Sequence, residues 1–289
     1  MIFPSNREDV RRLSREAGPR TIRLGDLTVS HVPDGAVRLR PRGWFPSTTG
    51  ADWDDRPEYL DGGCLVASVG GLLVESGDRA LLIDAGVGPV DRPAAPKPSF
   101  LGRIHGGTLV EGLARAGRAP AGIEAVAITH LHSDHVGWLA RPEFAATPVL
   151  IAEREWATRD LAIAHGIGEA VLDALAPRVR TVEDGEEIFP GVRMTLMPGH
   201  TAGHAVYTIV SGGRRLIAFG DVLHSPAQIE HPEWPVVADH RGGQASAQRA
   251  ALIAELERPG TLGYGGHFAD VVFGRVDRDG DRPFWNPEP

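Results

Sequence analysis

The sequence predicts an α/β (α+β) fold around one large core, and three observations carry that expectation. Two runs of short apolar strands, punctuated by Gly-rich turns, occupy residues 64–83 and 179–219, with strand and helix alternating between them. The composition, 42% hydrophobic and 24% charged, is that of a globular protein. At 289 residues the chain exceeds a typical single domain, yet α/β sandwiches of this size often close around one core.

Taken in order, the first sixty residues read as an extension. Ser5 with Glu8 fits a capping box opening a short helix through Arg15, closed by Gly18-Pro19. Thr21–Leu24 and Leu27–Val32 read as strands joined at Gly25-Asp26, with Pro33-Asp34-Gly35 as the next turn. Residues 41–61 hold Trp44, Phe45, Trp53 and Tyr59 among Pro, Gly and Asp without clear periodicity. Such aromatics either wall a pocket or anchor the loop to the body or to a second subunit. The expected division is therefore an extension over 1–60, acting as lid or dimer contact, and a main domain over 61–289.

From Gly63 the pattern is regular. Cys64–Val69, Leu72–Glu75 and Ala80–Ile83 are expected as strands separated by Gly70-Gly71 and Gly77-Asp78, ending at Asp84. Pro89–Pro98 reads as a loop, and Thr108 with Glu111 as the cap of a helix ended by Gly117. Ile123–Ile128 is an apolar run expected as a buried strand, followed by a strand at Pro148–Ala152 and helices at Glu153–Leu161 and Ile167–Leu175. Val179–Val182, Val192–Leu196, Val206–Val210 and Leu216–Phe219 form the second strand run. Gln244–Leu256 is helical by period, and Thr261–Tyr264 is a last strand. The acidic stretch Asp277–Asp281 has its glycine misplaced for a calcium loop and reads as a turn.

Composition also excludes function classes. A formal charge of -8, with Lys97 the only lysine, argues against a nucleic-acid surface, which needs clustered cations. Cys64 is the sole cysteine, so no intrachain disulfide forms and any metal site falls to His and carboxylate. No stretch has the length and apolarity of a membrane span, and the charged N-terminus has no signal-peptide core. A cytoplasmic location is the expectation.

The chemistry concentrates after the strand at 123–128. In Thr129-His130-Leu131-His132-Ser133-Asp134-His135, four potential metal ligands fall within six residues. His130 and His132, two apart on extended backbone, project the same way, whereas Asp134 and His135 follow as the chain turns into a short helix and can serve a second ion. Three later stretches repeat one arrangement, an apolar strand and then a small-residue turn bearing a ligand type. They are Met197–His204 (with His200 and His204), Phe219–His224 (with Asp221 and His224) and Tyr264–His267.

With these motifs in this order, the chain resembles the metallo-β-lactamase-fold hydrolase superfamily over roughly residues 60 to 275. The resemblance implies a four-layer αββα sandwich with the site at one edge of its two sheets. It implies His130, His132 and His200 as ligands of one metal, Asp134, His135 and His267 as ligands of another, and Asp221 as the bridge. Asp84 matches the structural aspartate of the family, and His204 is implied to lie behind the ligands. The implied cofactor is a pair of divalent ions. Zinc suits an N/O ligand set without cysteine, and Mn, Co and Fe are left open. Two cations about 3.5–4 Å apart bring a bridging water towards ionisation at neutral pH, which provides a hydroxide nucleophile.

Within the superfamily, Gly220–His224 and Tyr264–Phe268 resemble the acyl-homoserine lactonase and methyl parathion hydrolase group. The best-known lactonases place a Tyr three residues after the bridging Asp; here His224 stands there, as in the methyl parathion hydrolase branch. The function so implied is a dinuclear-metal hydrolase that opens an ester or lactone bond, with Asp134 and His224 as catalytic residues. The alternatives are a phosphotriesterase- or thioesterase-type hydrolase and an iron-dependent redox enzyme on the same scaffold. The expected partners are a small-molecule ester or lactone and a second copy in a homodimer, with neither nucleic acid nor membrane.

Overall fold

Apolar runs that are buried on both faces must be covered on both sides, and that requirement builds the architecture. The computed structural model describes residues 7–288, and among these residues the strands form two mixed sheets. The first sheet holds β1 (Arg20–Leu24), β2 (Leu27–Leu39), β3 (Leu60–Asp61), β4 (Cys64–Ser76), β5 (Arg79–Ile83), β6 (Val90–Arg92), β7 (Leu101–Gly106), β8 (Ala125–Ile128), β9 (Val149–Ala152) and β10 (Val179–Val182). Its order is β10-β9-β8-β5-β4-β2-β7-β6, with β1 on β2 and β3 on β4. The second sheet runs in sequence order through β11 (Glu187–Phe189), β12 (Val192–Leu196), β13 (Ala205–Ser211), β14 (Arg214–Ala218), β15 (Thr261–Tyr264), β16 (Phe273–Asp279) and β17 (Arg282–Pro287). Parallel pairing at β5-β8-β9-β10 and β14-β15 forces crossover segments, and the helices occupy those segments.

The core residues alternate along each strand between two layers. Leu81, Ile83, Ala125, Ala127 and Leu150 face the second sheet, meeting Val192, Met194, Tyr207, Leu216 and Leu262. Their neighbours Leu82, Val126, Ile128, Val149 and Ile151 face outward onto helices carrying Leu109, Leu113, Leu172 and Leu175. On the far side Val206 and Ile217 pack with Leu252, Ile253 and Leu256 of helix Gly242–Leu256. The order helix, sheet, sheet, helix is the expected αββα sandwich. Truncating a fully buried residue of the central layer, such as Leu216, would cost about 2–5 kcal/mol.

The structure departs from the sequence reading at glycines and a proline expected in turns. Pro33-Asp34-Gly35 lies inside β2, where Pro33 pairs with Gly70 and Gly35 with Val69, so Asp34 is the extra residue of a β-bulge. Gly70-Gly71 lies inside β4 for a matching reason. A Cβ on Gly70 would sit 2.3 Å from the Val32 carbonyl oxygen, so glycine serves close approach of the strands rather than a turn. Residues 20–39, inside the expected extension, form β1 and β2, and β2 lies between β4 and β7. The Pro-rich stretch contributes β6, and β16 with β17 adds a hairpin in which Asp277–Asp279, expected as part of a turn, are paired strand residues and only Gly280-Asp281 turns. Thr108 does not cap its helix with its own hydroxyl; the Leu109 amide donates instead to Asp34 Oδ1 at 3.0 Å. The expected cap residue Ser5 lies outside the described residues.

Candidate metal centre

Four turns converge at one edge of the sandwich. The loop after β8 brings His130, His132, Asp134 and His135; the turn before β13 brings His200 and His204; the turns after β14 and β15 bring Asp221 and His267. An inner group, His130, His132, His200 and Asp221, is buried throughout and has its candidate ligand atoms within 4.8 Å of one another. An outer group, Asp134, His135 and His267, meets the same limit, with Asp134 partly exposed.

Asp221 stands between the groups. Its Oδ2 is 3.4 Å from His200 Nε2 and 3.8 Å from His130 Nε2, and its Oδ1 is 3.3 Å from His135 Nε2 and 3.1 Å from His267 Nε2. Asp134 Oδ2 closes the outer group at 3.5 Å from His267 Nε2. His132 presents Nδ1, 3.1 Å from His200 Nε2.

The opposite ring nitrogens are held from behind, which fixes each imidazole's orientation. His130 Nδ1 lies 3.0 Å from the Thr129 hydroxyl, His135 Nδ1 2.8 Å from Asp84 Oδ2, His200 Nδ1 3.0 Å from Asp239 Oδ1 and His267 Nδ1 2.8 Å from the Ser68 carbonyl. Asp84 pays for its place with a positive φ of 60°, and it also accepts the Thr129 amide at 2.8 Å. His204 Nε2 accepts the Asp221 amide at 3.0 Å, so it lies behind the bridging position as the resemblance implies.

These residues fit a pair of cations. His130 Nε2, His135 Nε2 and Asp221 Oδ1 are buried and have no hydrogen-bond partner in the chain, a costly arrangement for polar atoms unless something else satisfies them. The electrostatics agree. Burial works to raise the Asp221 carboxyl, but His267, His135, His224 and His130 hold it well below the ordinary value. Burial, then the neighbouring imidazoles, push His130 and His132 well below theirs and leave neutral lone pairs. At the outer group burial is overcome by converging carboxylates, first Asp221, so His135 is raised well above its ordinary value and His267 to about 9. The carboxylates there draw positive charge.

Both groups open onto a cavity of about 570 Å³. Trp44 lies on its wall with its ring 5.3 Å from that of His224, whereas Phe45 and Trp53 are buried and stack on each other. His224 Nε2 is 3.2 Å from Asp221 Oδ2, and burial lowers its pKa. Its amide donates to Gln228 Oε1 at 2.7 Å, which sets the turn that carries it.

Sequence reasoning missed three residues of this centre. Asp239 is buried between His200 and Arg249; burial works against its charge, but the His200 hydrogen bond prevails and lowers it to about 2. Asp34 accepts the Val87, Gly88, Gly107 and Leu109 amides and the Trp138 indole N–H, bracing the segment after the metal loop. Glu155 accepts from both ligand-bearing loops. Neither Asp239 nor Glu155 follows an apolar strand in a small-residue turn, the signal that marks the others, and the sequence offers Asp34 only as a residue of the turn Pro33-Asp34-Gly35.

Comparison with known proteins agrees with the site. The model of the metallo-beta-lactamase superfamily matches residues 71–267, more than half of the chain, and the chain belongs to that superfamily. An N-acyl homoserine lactonase from Bacillus sp is 26% identical over 150 residues, spanning 46% of this chain and 54% of the relative, so the match reaches about half of that protein's length. Metallo-beta-lactamase domain-containing protein 1 of Rattus norvegicus is 27% identical over 231 residues, 78% of this chain and 76% of the relative. Among solved structures, AidC, a dizinc quorum-quenching lactonase in complex with a product, superposes with a TM-score of 0.80 at 21% identity, covering 94% of this chain and 98% of that one. That likeness shows the fold. No helix among the described residues is long and apolar enough to cross a membrane.

Proposed function

We propose, from membership of that superfamily, that the protein is a dinuclear metal-dependent hydrolase opening the ester or lactone bond of a small, largely apolar molecule. The observation that carries this reading is the opening of both ligand groups onto one cavity walled by Val37, Leu39, Trp44, Phe100, Leu101 and Ile104. An apolar cleft with a few convergent polar groups at its floor suits a neutral substrate with one polarised carbonyl. The relatives named as lactonases support the same class.

In this reading His130, His132 and His200 hold one ion, Asp134, His135 and His267 hold the other, and Asp221 serves both. Two divalent ions, zinc by donor type, would supply Lewis acidity and a water ionised near neutral pH. The remaining work belongs to the chain. His224, buried and therefore neutral, donates an N–H to the substrate oxygen that gains charge, an interaction strongest in the transition state. Asp134, whose side chain is 24% exposed on the cavity, accepts the proton that the attacking water gives up and returns it to the leaving oxygen. Residues 41–60 serve as the lid, with Trp44 keeping water from the apolar wall.

The test is a panel of aryl esters, lactones and phosphotriesters on zinc-loaded protein. Metal-dependent turnover of an ester or lactone is expected. Turnover of phosphotriesters alone would move the assignment to the phosphotriesterase reading, and no turnover of any of them would contradict it.

A further inference from the structure

We propose that Glu155 is a positioning residue that locks the two loops of the inner group to each other and thereby sets that group's affinity for its metal. The proposal rests on the ligand assignment given above. Glu155 sits in the helix Glu153–Ala157, which begins directly after β9, and β9 pairs in parallel with β8, the strand that launches the metal loop. The side chain is only 4% exposed. Its Oε1 accepts the Leu131 amide at 2.9 Å; its Oε2 accepts the Thr201 hydroxyl at 2.8 Å and the Gly203 amide at 2.9 Å.

The placement of those donors gives the carboxylate its role. Leu131 stands between His130 and His132, Thr201 follows His200, and Gly203 precedes His204. One carboxylate thus fixes the backbone beside every histidine of the inner group and beside the histidine that holds the Asp221 amide. Its three donors are two backbone amides and a hydroxyl, all directed at one carboxylate. The approach is close enough to dictate sequence. A Cβ on Gly203 would lie 2.1 Å from the Glu155 nitrogen and 2.5 Å from its Cα. Glu155 reaches the outer group only through the loop the two groups share, at Leu131; the outer group's second loop carries His267, whose imidazole is held by Ser68 on β4.

Outer partners that orient metal ligands typically contribute about 10–100-fold in metal affinity. Removing Glu155 releases both loops, so Glu155→Ala is expected to weaken the inner ion by about that factor and leave the outer ion within about threefold. Glu155→Gln keeps the shape and one acceptor, holds one loop at a time, and should fall between.

The experiment titrates metal-free wild type, Glu155→Ala and Glu155→Gln with Co(II) against a competing chelator. The visible bands report each equivalent, and histidine-ring NMR identifies which imidazoles each equivalent engages. Far-UV circular dichroism and melting of the metal-free forms record folding. A loss confined to the equivalent bound by His130, His132 and His200, graded Ala beyond Gln, supports the proposal. Equal loss at both equivalents would assign Glu155 to general stability and overturn it, as would unchanged binding in folded Glu155→Ala. If Glu155→Ala does not fold, Glu155→Gln decides by the same criterion. Wild type that binds no metal would defeat the ligand assignment itself, and the proposal with it.

Discussion

The inner and outer groups share one carboxylate, Asp221, yet are built differently. The inner group joins a loop of the first sheet to one of the second and lies deeper, with His130, His200 and Asp221 each at most 4% exposed. Its imidazoles are backed by Thr129 and Asp239, and its loops by Glu155. The outer group is backed by Asp84 and a backbone carbonyl, and its Asp134 faces the cavity. Burial with many braces favours a fixed ion; an open carboxylate favours exchange with substrate and solvent. The lesson is that one loop, residues 130–135, can feed two groups because the chain passes there from extended backbone at His132 into the helix Ser133–Val136.

The largest effect should come from breaking what the groups share. Asp221→Ala removes a ligand from both and leaves two cations facing each other with less charge between them. Activity is expected to fall by more than about 100-fold, beyond the usual cost of an outer partner. Full activity in that variant, measured on whichever ester or lactone the panel identifies, would remove Asp221 from the centre.

His224→Ala removes a neighbour of Asp221, 3.2 Å from its Oδ2, but none of the residues assigned to hold an ion. Loss of one donor to the charge-gaining oxygen costs about 2.7–4 kcal/mol, or 10²–10³ in kcat, with metal content unchanged by elemental analysis. A parallel fall in metal content would show that His224 supports the site's integrity and is not a substrate donor.

Asp239→Ala sharpens the comparison by loosening the inner group alone. The His200 imidazole loses its partner, and about 10–100-fold in affinity is expected at one equivalent only. Isothermal titration with Zn(II) that shows both equivalents weakened alike would erase the distinction between the groups.

The last effect concerns stability. His31 Nδ1, on β2, pairs with the Tyr264 hydroxyl at 2.8 Å, at the end of the strand that precedes His267, and burial pushes the His31 imidazole down to about 4. Between pH 6.5 and 4 the unfolded chain therefore binds the extra proton. Stability rises with pH across that window, and roughly 3 kcal/mol is lost on acidification through it. Urea unfolding of metal-free wild type and His31→Leu should show that the variant lacks this part of the slope; identical slopes would refute it.

Much of this site was legible in sequence because it obeys a local rule. His130, Asp221 and His267 each follow an apolar strand by a residue or more of turn, and a strand end fixes where such residues go. The αββα layering was legible only through the resemblance, since strands buried on both faces carry no alternation to reveal which sheet they join. Long-range supports escaped entirely. Asp34 reaches the site only because a bulge turns a residue of β2 out of register, and Asp239 and Glu155 reach it only through contacts 39 and 24 residues away in the chain. Pro33 and Gly70 misled for the same reason: a bulge and a close strand approach use the residues that otherwise make turns.

Two ions are expected to occupy the two differently built groups in one chain. Elemental analysis of protein purified without chelator tests it most directly. Close to two divalent equivalents per chain are predicted, and one equivalent or none would contradict the dinuclear centre.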